Sequence, residues 1–101
     1  MAQDYSRERN YPIIKNFSAV QTWTEVKMPS KAKVVTIGSE DDIYVSFEGT
    51  EGGSYTGVNK LFIKSDGYMA IKMGRGTNQH NTIFIASKSS SADITLIFEE
   101  Q

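Results

Sequence analysis

The sequence predicts an all-β chain: a single antiparallel β-sandwich, jelly-roll-like, of about seven or eight strands, carrying an extended N-terminal arm. Three observations predict it. Short runs rich in Val, Ile, Thr and aromatic residues alternate apolar with polar positions, which is the period of a half-buried strand. Turn residues interrupt these runs at the short intervals found in sandwiches and barrels. No segment holds a 3.6-residue apolar period long enough for a helix of three turns. With 101 residues there is room for one domain. The reading divides it into an arm, residues 1–16, and a β-body, residues 17–101.

The arm shows neither a helical nor a strand period. Pro12 holds Tyr11 extended. Tyr5, Tyr11, Ile13 and Ile14 are too large and apolar for a solvated leader, and they are interleaved with Arg7, Arg9 and Lys15. Aromatic and arginine side chains are enriched at binding hot spots. Tyr5, Arg7, Arg9, Tyr11, Ile13 and Ile14 are therefore the candidate partner-binding residues. Fully extended, such an arm reaches up to ~50 Å at roughly 3.3 Å per residue, enough to cross a neighbouring subunit.

From Phe17 the expected strands are residues 19–28, 32–37, 43–48, 60–64, 68–73, 82–87 and 92–99. Alternation is clearest in three. Ile43, Val45 and Phe47 oppose Tyr44, Ser46 and Glu48; Met69, Ile71 and Met73 oppose Tyr68, Ala70 and Lys72; Ala92, Ile94, Leu96 and Phe98 oppose Asp93, Thr95, Ile97 and Glu99. The expected core is Val45, Phe47, Met69, Ile71, Ile85, Leu96 and Phe98. Pro29-Ser30, residues 38–42, the glycine-rich residues 49–59, the polar residues 74–81 and residues 87–91 punctuate the strands. Asp66-Gly67 suits a hairpin turn between the runs on either side of it.

Composition excludes several kinds of chemistry. No cysteine means no disulfide, zinc–thiolate site, iron–sulfur cluster or cysteine nucleophile. A net charge of −1 creates no field to recruit nucleic acid or an anionic membrane. No apolar run approaches the roughly 18–20 residues of a membrane helix. The polar first ten residues do not read as a secretory signal, which leaves the sequon Asn16-Phe17-Ser18 idle.

The remaining candidates for chemistry are weak in pattern. His80, the only histidine, sits in a polar run with no acid nearer in sequence than Asp66 and Asp93, and reads as an exposed loop residue. Glu40, Asp41 and Asp42 are consecutive, so on an extended chain they point in different directions and lack calcium-loop spacing. Gly74-Arg75-Gly76 and the glycines at 49–57 match no phosphate-loop pattern. Trp23 reads as a sheet-packing residue. The expectation is no catalytic set, no cofactor and no metal. The acids of residues 39–51 and the lysines and arginine of 60–75 read as solvated faces or as complementary patches on neighbouring copies.

In outline the whole chain resembles the small β-sandwich virion proteins of tailed bacteriophages, most of all capsid decoration (cement) proteins. The residues behind the likeness are Gln21-Thr22-Trp23-Thr24-Glu25-Val26, the Gly-Thr-Glu-Gly-Gly loop at 49–53, Lys60-Leu61-Phe62-Ile63 and Gly74-Arg75-Gly76, together with the arm and the cysteine-free strands. The resemblance implies a non-enzymatic structural protein assembled in the host cytoplasm into a virion. It implies a homo-oligomer, often a trimer, that binds the major capsid protein and reinforces the lattice. A tail, adaptor or fibre-base component is the first alternative. A carbohydrate-binding module using Tyr44, Tyr55, Phe62 or Tyr68 is the second.

Overall fold

The structure is a computed structural model that describes residues 2–73 and 82–100. Its elements are strands only: β1 (Gln3–Asp4), β2 (Ile13–Val20), β3 (Thr24–Lys27), β4 (Val34–Ser39), β5 (Ile43–Ser46), β6 (Leu61–Ile63), β7 (Tyr68–Lys72), β8 (Thr82–Ser87) and β9 (Ser91–Glu99). They form two sheets, a five-stranded one in the order β1-β3-β8-β5-β6 and a four-stranded one in the order β2-β9-β4-β7. Every pairing is antiparallel except that of β1 with β3, which is parallel.

One apolar core lies between the sheets, as in a β-sandwich. Val26, Ile43, Val45, Ile83 and Ile85 come from the five-stranded sheet, and Ile13, Val35, Ile37, Ile94, Leu96 and Phe98 from the four-stranded one. Alternation produces this arrangement directly. Along β9, Ala92, Ile94, Leu96 and Phe98 are buried while Asp93 and Glu99 are exposed. Met69 and Ile71 of β7 are half-buried against the same core.

Four expectations are corrected. Phe47 is not in the core: it is 52% exposed, because β5 ends at Ser46 and the pleat that faces Val45 inward does not continue. The run 19–28 is two strands, not one. It turns a corner at residues 21–23 to pass from one sheet to the other, and Trp23 hydrogen-bonds there to a loop, donating to Gly53 O and accepting from Gly52 N at 2.8 Å each. Asp66-Gly67 makes no hairpin, since β6 and β7 lie in different sheets. It is a corner closed by Gly67 N donating to Lys64 O at 2.9 Å, with Asp66 in the left-handed region at φ 61°. A Cβ on Gly67 would stand 2.9 Å from that same carbonyl oxygen, which explains the glycine. Finally, the described residues hold nine strands, two of them within residues 2–20, where the sequence shows no clean period.

The boundary expected at residue 16 falls within β2. Ile13, Ile14, Lys15 and Asn16 pair with Phe98, Ile97, Leu96 and Thr95. Residues 2–12 hold β1 and a run of turns.

Candidate functional site

The six residues expected to bind a partner separate into two groups. Tyr5 and Tyr11 are half-buried against the core, and Ile13 is buried in it. The Tyr5 ring packs on Phe98 at 5.9 Å, its backbone N–H donates to Lys27 O at 2.8 Å, and its hydroxyl donates to Gln3 Oε1 at 3.1 Å. Burial pushes the Tyr5 phenol above its ordinary value. Arg7, Arg9 and Ile14 are exposed. The Arg9 guanidinium donates to Ser6 O and Glu8 O at 3.0 Å each, and Lys15 Nζ lies 3.4 Å from Glu8 Oε1. Asp4 Oδ1 accepts from Ser6 Oγ at 2.6 Å and from Ser6 N at 3.0 Å, which together hold its carboxyl below the ordinary value.

Ile14 belongs to a larger surface, the outer face of the four-stranded sheet. Strand register aligns Ile14, Ile97, Thr36 and Ala70 in one row across all four strands, and Asn16, Thr95, Gly38 and Tyr68 in the next. Neither row carries a charge. Thr95 Oγ1 donates to Asn16 Oδ1 at 3.0 Å, so part of the second row's polarity is satisfied within the sheet. Tyr68 lies over Gly38, where any Cβ would overlap its ring. At the two sides of the face, Ile14 is 63% and Tyr68 65% exposed. Charges begin only beyond these rows, with Glu99 and Lys72 beside Val34 at one end and Asp93, bonded by Ser18 Oγ at 3.1 Å, at the other. Alternation predicts which residues of β7 and β9 face outward. The cross-strand register that brings Ile14 and Ala70 into one row with Ile97 and Thr36 has no sequence signal.

The other outer face is mostly covered. Residues 47–59 fold back over the five-stranded sheet, and Tyr44, Tyr55 and Val58 pack there on Trp23, Phe84 and Ala86. Of the residues expected as a sugar platform, Tyr44 is 4.6 Å from Tyr55 and 5.6 Å from Phe62 between ring centroids, whereas Tyr68 is on the opposite sheet. Three of the five acids of 39–51 cap backbone: Asp42 Oδ1 accepts from Ser65 N at 2.8 Å, Glu48 Oε1 from Asn59 N at 3.3 Å and Glu51 Oε1 from Glu25 N at 2.6 Å. Among the described residues no group of three metal-ligating side chains converges. His80 and Gly74-Arg75-Gly76 lie outside the described residues. Comparison with protein-family models finds no match, and comparison with curated proteins finds none either.

Proposed function

We propose that this chain is a non-enzymatic structural protein of a virion: a decoration protein that binds the major capsid protein of a tailed phage as a homo-oligomer, most simply a trimer. The observation that carries the reading is the uncharged outer face of the β2-β9-β4-β7 sheet, with Ile14 and Tyr68 exposed at its edges. A sheet face turned permanently to water usually alternates inward apolar with outward polar and charged residues. Here the outward positions of two whole rows are apolar, small or uncharged. That composition matches the charge-depleted centre of a protein interface.

The strand order supports a jelly roll as the fold. From β2 onward the two sheets read β2-β9-β4-β7 and β3-β8-β5-β6, and such double sheets of eight strands occur in viral capsid and lectin domains. At about 4.8 Å between strands and roughly 3.4 Å per residue, the 28 residues of its four strands make a face on the order of 450 Å². A stable interface takes about 800 Å² per partner. On this reading Arg7 and Arg9, exposed on the N-terminal segment, supply the remainder.

Sedimentation equilibrium of the full chain and of Ile14→Glu tests the assignment. The full chain, 11.3 kDa per subunit, is expected to sediment as a trimer. Ile14→Glu is expected to be monomeric with an unchanged melting temperature. A wild-type chain that stays monomeric and does not attach to capsids refutes the proposal. In isolated particles, a copy number on the scale of the capsid lattice separates a decoration protein from a tail component.

A further inference from the structure

We propose that the free edge of β7 pairs, strand to strand, with β7 of a second copy of this chain, antiparallel about a two-fold axis at Ala70. The contact lies at the edge of the four-stranded sheet and not on its outer face, and it does not rest on the assembly proposed above.

β7 ends its sheet: among the described residues it pairs with β4 alone. Met73 N donates to Lys33 O at 2.7 Å, and since Val34 stands opposite Lys72 this bond sets the phase of the ladder. In an antiparallel pair the backbone groups of successive residues point alternately toward the partner strand and away from it. Met69 and Ile71 therefore bond to β4, and the N–H and C=O groups of Tyr68, Ala70 and Lys72 point out from the free edge. The same three residues are exposed, while Met69 and Ile71 are only half-buried against the core. The Tyr68 ring lies back over Gly38 of β4, so it does not obstruct the edge.

The strand is complementary to itself. Turned about Ala70, Tyr68 faces the second copy's Lys72, Ala70 faces Ala70, and Lys72 faces Tyr68. All three are hydrogen-bonded pairs, with about six backbone bonds in total. On the inner face Met69 meets the second copy's Ile71 as a close, non-hydrogen-bonded pair, which buries what each copy alone leaves half-exposed. A lysine on an edge usually deters such pairing. In this register the only charge of the strand meets a tyrosine ring, a cation–π contact, and the two lysines stand about 14 Å apart at opposite ends. A foreign strand would have to present both an aromatic ring opposite Lys72 and a cation opposite Tyr68, and a second copy presents both by symmetry. β2, the other edge of this sheet, fits less well: Lys15 is held 3.4 Å from Glu8 and over the Tyr5 ring, so the N-terminal segment packs along that side. Five residues per copy make a contact smaller than the roughly 800 Å² of a stable interface, so it forms transiently in dilute solution and is read by trapping.

The chain has no cysteine, so a single introduced one reports its own neighbour. Across the two-fold axis the Cα atoms of a hydrogen-bonded pair stand about 5.5 Å apart, within disulfide range. With oxidised glutathione, Ala70→Cys is expected to form a disulfide-linked dimer about tenfold faster than Thr56→Cys, an exposed position in the cover of the opposite sheet. In the wild-type chain, amide hydrogen exchange read by NMR should slow at Tyr68, Ala70 and Lys72 as protein concentration rises, and should not depend on concentration at Met69 and Ile71. Three results would each overturn the assignment: Ala70→Cys linking no faster than Thr56→Cys, exchange at the three amides that ignores concentration, or a mixture of Ala70→Cys and Asn16→Cys that yields chiefly the mixed dimer, which pairs β7 with β2 instead.

Discussion

Replacing Phe98 by alanine and, separately, Phe47 by alanine puts the core assignment at risk in one comparison. Both residues fall on the apolar side of an alternating run. Phe98 has no exposed surface, sits between Ile13 and Val35 in the register of β2, β9 and β4, and carries the Tyr5 ring at 5.9 Å. Its truncation opens a cavity walled by both sheets and removes the support of the N-terminal segment. Losses of about 3–5 kcal/mol are typical for such a site. A domain of this length has on the order of 5–15 kcal/mol in total. Phe47 is 52% exposed and stands beyond the end of β5, so its truncation removes about 1 kcal/mol or less. Urea unfolding followed by Trp23 fluorescence reads the difference. With a slope of roughly 1–2 kcal/mol per molar, Phe98→Ala should lower the midpoint by roughly 2–3 M and Phe47→Ala by less than ~1 M. If Phe98→Ala does not fold, Phe98→Leu set against Phe47→Leu keeps the comparison, at about 1 kcal/mol for the buried ring and less than ~0.5 kcal/mol for the exposed one. Equal shifts for Phe98→Ala and Phe47→Ala would refute the placement of the core.

Two further outcomes follow from contacts elsewhere. Gly49 crosses above the indole so closely that a Cβ would lie 2.9 Å from Trp23 Cδ1 and 3.0 Å from Phe84 Cγ; Gly49→Ala should cost about 1–3 kcal/mol in urea unfolding and alter Trp23 fluorescence, and an unchanged midpoint and spectrum would show that the loop sits elsewhere. Asp4 is held below its ordinary value of 3.8 by the two Ser6 hydrogen bonds, so its contribution to the closed N-terminal turn is complete above that value and is lost as pH falls through the lowered one. Hydrogen exchange at the Tyr5 amide should therefore keep its protection down to acidic pH and lose it below, whereas Asp4→Asn should show weakened protection with no such acid step; identical pH profiles would exclude the carboxylate as the lock.

Much of the architecture is legible in the sequence because alternation reports burial on a pleated sheet. Residues 82–87 are bounded as expected, 92–99 and 68–73 within a residue, and the burial of Ile94, Leu96 and Phe98 follows their two-residue spacing. What the sequence conceals is tertiary. β2 escapes recognition because an edge strand needs only its inner face apolar, and Ile14, on the outer face, breaks the alternation beside the buried Ile13. Asp66-Gly67 carries turn chemistry that a hairpin and a corner between sheets use equally well, so only the pairing of β6 with β5 decides. Phe47 continues a perfect apolar period, but the strand stops one residue before it. The uncharged face proposed for assembly is harder still. Its rows combine residues up to 83 positions apart, Ile14 and Ile97, and nothing local in either segment reports the other.

The two outer faces of this sandwich differ in how they meet water. A sheet of aromatic outward residues is unstable in water, and the chain resolves this on the five-stranded sheet by laying residues 47–59 over Trp23, Phe84 and Tyr44. That cover is fastened by backbone bonds from Trp23 to Gly52 and Gly53 and by Ser46 Oγ donating to Asn59 O at 2.8 Å. On the four-stranded sheet Ile14, Tyr68 and Ala70 stay exposed. The corners at 21–23, 40–42, 64–67 and 88–90 are short and run at the ends of the strands. Charges would be the simplest alternative to a cover, and the chain has them nearby: Lys72 of β7 and Asp93 and Glu99 of β9 stand one pleat outside the uncharged rows. An outward face without charge, on a sheet that carries Lys72, Asp93 and Glu99 just outside it, is the feature on which the proposed assembly rests.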